Sequence, residues 1–485
     1  MSTAQPIGRI LRQLAEEDPD RPSVTCGQDT ITRAELESES NRLARVFAER
    51  GVGIGDLVTV SMPNSIESYL AFAAAWKLGA IPQPVSHRLP EFERAAVLEL
   101  ANPALVVGAE VAGRPWLPAD FRAPAELSAA PLPDRVSPAW KAPTSGGSTG
   151  QPKIILSGQS GLLDPEEGAQ RRRMRRDDVQ LVPGPLYHNT PMTYSGLGLF
   201  LGMHLVVMSK FDTLDTLREI ERHRVSYVCL VPTMMSRIWR TVQDNPGRFD
   251  LSSVRTVWHM AAPCPAWLKD AWIELVGQDA VWELYGSTEA QAVSTIGGRE
   301  WLTRRGSVGR AVTGEFTVLD ADRRPVAPGE IGEIFARRPA GAPPTYRYIG
   351  ATASCAGNGW ETVGDLGWMD ADGYLYLSDR RTDLILSGGA NIYPAEVEGV
   401  LDAHPAVHSS AVVGLPDADL GQRVHAVVHA EGAVTVAELL ALLRERLVRY
   451  KVPRSIELVT EPLRDDAGKV RRSAIRDAAA RRQPR

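Results

Sequence analysis

Cysteine is scarce in this sequence. Its 485 residues hold only four, Cys26, Cys229, Cys264 and Cys355, far apart, with no Cys-x-x-Cys pair and no histidine at ligand spacing. This excludes a structural zinc centre or a disulfide framework and suits a reducing compartment. Long hydrophobic runs are missing too: none approaches the roughly 20 residues that span a bilayer, so an integral membrane protein is not expected. The N-terminal stretch lacks an apolar core and turns acidic early, unlike a signal or transit peptide. Charge of one sign is not in excess, the formal balance being −5, which excludes the strongly basic surface of a nucleic-acid binder. The local run Arg171-Arg172-Arg173-Met174-Arg175-Arg176 meets Asp177 and Asp178 at once and reads as a solvated helix face. Internal repeats and a Walker A loop are also absent. What remains is a cytoplasmic protein of two or three folding units, because the chain is too long for one ordinary core.

What the chain does contain is alternation. Leu36, Leu43, Ala44 and Phe47 share one face of a helix from Ala34 to Glu49. A buried strand is expected from Asp56, a helix from Ser65 and a further strand from Ala104, the βα order of a parallel sheet covered by helices. The Pro- and Ala-rich segment 113–140 reads as an irregular connection. Strand-like runs recur at "VQLVPGPL", "HLVVM", "VSYVCLVP" and "VRTVWHMAA". From Gly306 apolar and polar residues alternate between turn signals, which predicts an antiparallel β subdomain, followed by a hairpin turning at Asp372-Gly373. Two strands and an amphipathic helix then form a final α+β block of about 100 residues, long enough for a domain. The fold class is therefore α/β: a large N-terminal domain, 1–380, of βα-layered subdomains plus a β subdomain, and a small domain, 383–485.

One stretch, Thr144-Ser145-Gly146-Gly147-Ser148-Thr149-Gly150-Gln151-Pro152-Lys153, is almost entirely glycine and small hydroxyl residues and closes on a lysine. Glycines let a backbone approach a ligand closely, and successive amides, hydroxyls and a lysine can cradle phosphate oxygens. On composition alone the run reads equally well as a flexible surface loop. Three later stretches share its polar, glycine-bounded character: "ELYGSTEA" from Glu283, "TVGDLGWMDADGYLYLSDRRTDLILSGGANIYPAEVE" from Thr362, and "YKVPRSIELVTEPLRDDAGKVRRSAI" from Tyr450.

In order and spacing these four stretches resemble the AMP-forming acyl-CoA synthetases, whose superfamily includes luciferases and adenylation domains, and the resemblance covers nearly the whole chain. It implies that Thr144 to Gly150, with Lys153, hold the β- and γ-phosphates of ATP; Gly146 stands where relatives more often carry Ser or Thr. It makes Glu289 the ligand of Mg²⁺ and gives Thr288 a hydrogen bond to the α-phosphate. Tyr285, within Glu283-Leu284-Tyr285-Gly286, would stack on adenine opposite Ala261-Ala262-Pro263. Asp365 would take the ribose hydroxyls and Arg380 the ribose or α-phosphate, with Val363 in place of the usual Thr. Lys469, on a mobile C-terminal domain, would bridge the attacking carboxylate and the phosphoryl oxygens, two anions that repel.

The implied reaction joins a small carboxylic acid to coenzyme A through an acyl-adenylate. Gly388 and Gly389 would line the pantetheine tunnel, with Tyr450 and Arg454 at the nucleotide end; Val452 stands where some relatives have a second cation. His188 occupies the place where amino-acid-activating relatives put an aspartate, so a substrate ammonium would lack its counter-charge. An acid without an α-amino group is expected, with His188 as a gate and Gly196, Gly198 and Ala261 leaving room for a fatty, aryl, alicyclic or steroid-like tail. Thr382 is the implied hinge. A homodimer stays open, as do two other readings: a luciferase-like oxygenase, and a nonenzymatic binding relative.

Overall fold

The computed structural model describes residues 3–146, 152–417, 419–432, 434–465 and 468–482. Strands Pro22–Cys26, His204–Val207, Val179–Val182, Tyr227–Leu230, Thr256–His259 and Val281–Gly286 lie side by side in that order, all parallel. Their apolar runs are buried on both faces, as a parallel sheet covered by helices requires. From Val293–Gly297 onward the same sheet turns antiparallel, through Ser307–Thr313 to the hairpin of Asp365–Met369 and Leu375–Arg380. Gly373, at φ +81°, makes that hairpin turn as the sequence predicts.

A second parallel sheet of four strands is built on Leu57–Val60. The helix beside it, Ile66–Lys77, starts where Ser65 accepts from the Ser68 amide and Ser68 returns the bond, so orphan N–H groups at its start are satisfied. Trp76 and Phe200 meet edge to face across the core, with ring centroids 5.0 Å apart. Segment 113–140 is irregular apart from the short strand Trp116–Leu117.

Leu375–Arg380 is the last strand to join the large sheet. Ile385–Ser387 is the first of a separate five-stranded sheet, completed by Ala390–Ile392, Val407–Asp417, Gly421–Ala430 and Ser455–Val459. The small sheet has its own apolar core around Ile385, Val397, Leu401 and Leu443. The architecture is thus α/β with a large N-terminal part and a small α+β C-terminal part.

The arginine run is solvated as expected at Arg171, Arg173, Arg175 and Arg176, and only Arg172 is half-buried. The helix Pro165–Arg172 ends at Arg173, φ +60°, and Arg172 turns inward. Its carbonyl accepts from Tyr227 Oη at 2.9 Å and Trp258 Nε1 at 3.0 Å, and its guanidinium lies over the Tyr194 ring. Arg171 stays exposed beside Glu167.

Candidate active site

Loops at the C-terminal ends of the parallel strands carry the polar groups, the usual place for a ligand in an open α/β sheet. His188 follows Val179–Val182, Ala261 to Pro263 follow Thr256–His259, and Thr288 and Glu289 follow Val281–Gly286. Ala261 is held at φ +74° and Ala290 at +52°, left-handed conformations that cost a residue with a Cβ and that concentrate at functional sites.

Two groups of side chains converge there. In the first, Tyr285 Oη donates to Asp365 Oδ2 at 2.8 Å and Arg380 Nε to Asp365 Oδ1 at 3.2 Å, so both carboxylate oxygens are oriented. Burial and the adjacent Asp365 charge raise the Tyr285 phenol well above its ordinary pKa, so it remains a donor. In the second, Lys153 Nζ meets Glu289 Oε1 at 3.0 Å and Tyr348 Oη at 2.9 Å, and Tyr348 Oη also donates to Glu289. Burial alone would raise the Glu289 pKa; the Tyr348 hydroxyl and the Lys153 ammonium outweigh it and hold the carboxyl below its usual range. An ionised oxygen ligand of this kind fits a hard cation such as Mg²⁺, which binds one or two carboxylates beside nucleotide phosphates.

Lys469 comes to this cleft from the small domain. Its turn is closed by reciprocal bonds with Asp465: Asp465 N to Lys469 O and Lys469 N to Asp465 Oδ1, each 2.9 Å. Gly468, at φ +73°, packs so closely on Thr233 that a Cβ would lie 2.8 Å from its Oγ1. Lys469 itself is exposed to solvent. Desolvation by the surrounding protein, opposed by Asp465 and reinforced by Arg380, lowers its pKa. Burial, with the Lys469 charge adding to it, pushes the His188 ring down to about 3, leaving a neutral imidazole against Tyr187 at 4.6 Å. Residues 188, 365, 380 and 469, far apart in sequence, therefore share one electrostatic neighbourhood.

Other expected positions fall elsewhere. Gly196 and Gly198 each face a packed side chain. A Cβ at Gly196 would touch Trp140 at 3.1 Å, and one at Gly198 would overlap Gln180 Oε1 and press on Met203 Sδ at 3.2 Å. Gly198 lets the helix Asn189–Leu201 pack on the strands of Gln180 and Leu205, and Gly196 lets it pack on Trp140, so the room next to each is taken up by these side chains. The Glu283 side chain is committed to Lys269 in the interior, at 2.6 Å. Gly388 and Gly389, at φ +58° and +81°, form the turn between Ile385–Ser387 and Ala390–Ile392, a geometry that itself calls for glycine. The Gly388 amide bonds to the Leu420 carbonyl, and Arg454 lies 3.9 Å from Asp417, so turn and arginine border the same stretch of the small domain. Tyr450 is exposed on a short 3-10 turn. Thr382 lies in the turn between the two sheets, where the Asp383 and Leu384 amides both bond to the Arg380 carbonyl. Gly147, Ser148, Thr149 and Gly150 lie outside the described residues; Thr144 to Gly146 form a short strand paired with Pro152–Ser157.

Sequence reasoning missed Tyr348 and Thr345. Tyr348 lies on Tyr346–Ile349, the strand paired with the one that carries Lys153, and Thr345 Oγ1 donates to the Glu289 carbonyl at 2.7 Å. The alternating tyrosines of "TYRYIG" were the available signal, but only long-range pairing brings them to the lysine.

Comparison with known proteins gives matches along the chain. Residues 11–346 match the family model described as AMP-binding enzyme, and 396–469 the AMP-binding enzyme C-terminal domain. A 2-succinylbenzoate–CoA ligase of Geobacillus kaustophilus is 32% identical, over 96% of this chain and 96% of its own. A feruloyl-CoA synthase of Amycolatopsis is 33% identical, over 97% of this chain and 99% of its own. The solved o-succinylbenzoate CoA synthetase of Bacillus subtilis, in complex with its acyl-adenylate intermediate, superposes with a TM-score of 0.83 at 27% identity, covering 100% of this chain and 99% of that one.

Proposed function

The chain belongs to the AMP-binding enzyme family, and on that premise we propose that it is an ATP-dependent carboxylate–CoA ligase of the cytoplasm whose acid is an aryl or phenylpropanoid carboxylate without an α-amino group. In the first step a carboxylate oxygen attacks the α-phosphorus and pyrophosphate leaves. In the second, a coenzyme A thiolate attacks the acyl carbon and AMP leaves. The observation that carries this reading is the convergence of Lys469, His188, Arg380 and Asp365 on one cleft. Fixed positive charge between two anions is what the first step needs, because it is preorganised and needs no solvent rearrangement as the reaction proceeds.

Residues 1–380 hold ATP and acid in this reading. Asp365 takes the ribose, and Tyr285 with Ala261 to Pro263 flanks adenine. Thr288 bonds the α-phosphate, and Thr144 to Gly150 with Lys153 hold the distal phosphates. Glu289 would hold Mg²⁺, which when bound neutralises phosphate charge. The neutral His188, standing where amino-acid-activating relatives carry an aspartate, offers no counter-charge to a substrate ammonium and disfavours an ammonium-bearing acid. With Gly196 and Gly198 packed against the core, the argument for a bulky steroid-like tail falls away, and the acids named for the relatives put an aryl group ahead of a fatty or alicyclic one. That those relatives are coenzyme A ligases also favours thioester formation over a luciferase-like oxygenation or a nonenzymatic role. Residues 383–485 rotate about Thr382, withdrawing Lys469 and bringing Gly388, Gly389, Tyr450 and Arg454 to coenzyme A.

The test is pyrophosphate and AMP release over a panel of carboxylic acids, with and without coenzyme A. AMP release that depends on coenzyme A, with an aryl acid preferred, is expected. Pyrophosphate release with no thioester product for any acid would overturn the ligase reading.

A further inference from the structure

Beneath the helix that begins after His188 lies a buried group of hydrogen-bond donors with no anion to receive them. Lys141, only 8% exposed, places its ammonium on Asn189 Oδ1 and Thr193 Oγ1, both in the first turn and a half of the helix Asn189–Leu201. Its nitrogen also stands 4.8 Å from the Trp140 ring centre. Among the described residues no carboxylate pairs with it. Arg172 is near enough for its charge to weigh on Lys141, and its Nε is buried without a partner. Tyr194, on that same helix and 3% exposed, lies under the Arg172 guanidinium, which is the group its hydroxyl faces.

Two basic side chains and a phenol gathered without a carboxylate are costly, the more so whenever the lysine carries its proton. A buried charge is tolerated when it is paired or when it does work, and buried polar atoms without partners call for an explanation. Structural lysines of this chain show the contrast. Lys77 is as buried as Lys141 and is answered by Glu37 at 2.7 Å, and Lys269 is answered by Glu283 at 2.6 Å. Lys141 alone of the three has only neutral oxygens. Its position is equally telling. Thr144, at the start of the phosphate-loop stretch, lies three residues further along the chain, and Asn189, which it grips, directly follows His188. The donors therefore lie beside the acid's end of the cleft rather than at a remote surface.

We infer that Lys141, with Arg172 and the Tyr194 hydroxyl, receives a second anionic group on the acid substrate, so that the enzyme's acids are dicarboxylates, one carboxylate being activated and the other held under the helix. This rests on the ligase reading above and narrows its substrate class. The second carboxylate supplies the missing counter-charge, and Asn189 and Thr193 keep the ammonium in place when it is absent.

The experiment uses matched pairs of aryl acids that differ only by a ring carboxylate, and reads kcat/KM for pyrophosphate release within each pair. Wild type is expected to prefer the dicarboxylate by at least about 10-fold, the scale of a single desolvated charge pair. Lys141→Met should bring that ratio close to one, and Lys141→Arg should keep a preference. Taking the ratio within each variant cancels any loss of rate common to both acids. Because methionine removes a buried charge and fills similar space, the variant is not expected to fail by unfolding. Pyrophosphate release from both acids with a wild-type ratio near one, or a ratio that Lys141→Met leaves unchanged, overturns the inference and leaves the ligase reading intact. No release from any acid, charged or not, overturns both.

Discussion

Lys141 also predicts a stability profile that needs no substrate. Burial, with Arg172 adding to it, lowers its amine from 10.5 to about 7 in the folded chain. At 1.36 kcal/mol per pH unit, that difference costs roughly 5 kcal/mol wherever both folded and unfolded chains carry the proton. Above pH 10.5 neither state is charged at this residue and the cost vanishes. Between 10.5 and 7 the unfolded chain holds a proton that the folded chain has lost, so stability falls as pH falls. Below 7 both states are charged and the cost is full and flat. Urea unfolding of wild type and Lys141→Met at pH 7.5 and 9.5 isolates this contribution. Wild type should gain about 2.5 kcal/mol relative to the variant between the two pH values. Lys77, brought down to about 8 mainly by burial, titrates in both proteins and cancels. The lost bonds to Asn189 and Thr193 shift the variant equally at both pH values and cancel as well. Parallel profiles, differing by less than about 0.5 kcal/mol between the two conditions, would refute the placement of a charged amine in an apolar setting.

Lys469→Ala is expected to slow acyl-adenylate formation at least ~100-fold, the usual loss for one transition-state electrostatic contact, while thioester formation from supplied acyl-adenylate is spared; equal loss in both half-reactions would reject its role. Thr382→Pro fixes φ near −65° at the turn between the sheets and should leave one half-reaction near normal and impair the other, read by pyrophosphate exchange and by thioesterification of preformed adenylate. Gly198→Leu should lower stability by about 1–3 kcal/mol through overpacking against Gln180 and Met203, measured by thermal unfolding; a soluble, equally stable variant with a shifted acid-size preference would reject the packing assignment.

Much of this was legible in the sequence because the signals were local. The strand at Leu57–Val60 and the helix at Ile66–Lys77 follow from apolar runs and a capping serine, and the hairpin at Gly373 from its Asp-Gly turn. Asp365, Arg380 and Lys469 could be singled out through motif order, since each sits in a stretch whose residue types suit phosphate or ribose, and the structure adds the Asp365–Arg380 pair. What stayed hidden depends on which way a side chain faces. Gly196 and Gly198 show only that space exists next to a helix, and nothing local says that Trp140 and Gln180 already fill it. Arg172 reads as one of a charged row, yet the helix ends there and the chain turns it inward. Lys141 follows a tryptophan in an unremarkable Pro/Ala context, and its burial appears only once the helix Asn189–Leu201 is laid across it. Tyr348 needed a strand pairing that spans nearly 200 residues, Tyr348 opposite Ile155.

Arg380 occupies two places at once. Its side chain steadies the carboxylate of Asp365, while its carbonyl anchors the turn through which one sheet hands over to the other. On the proposed reading, a nucleotide that competes for that guanidinium acts two residues from the proposed hinge at Thr382, and binding and orientation would be thermodynamically linked. Linkage is reciprocal: the factor by which a bound nucleotide favours one orientation is the factor by which that orientation tightens the nucleotide. On that reading, departure of pyrophosphate, by changing what Arg380 faces, would alter the balance between orientations without a separate trigger, and a mutation in the turn should report itself as a changed affinity for AMP.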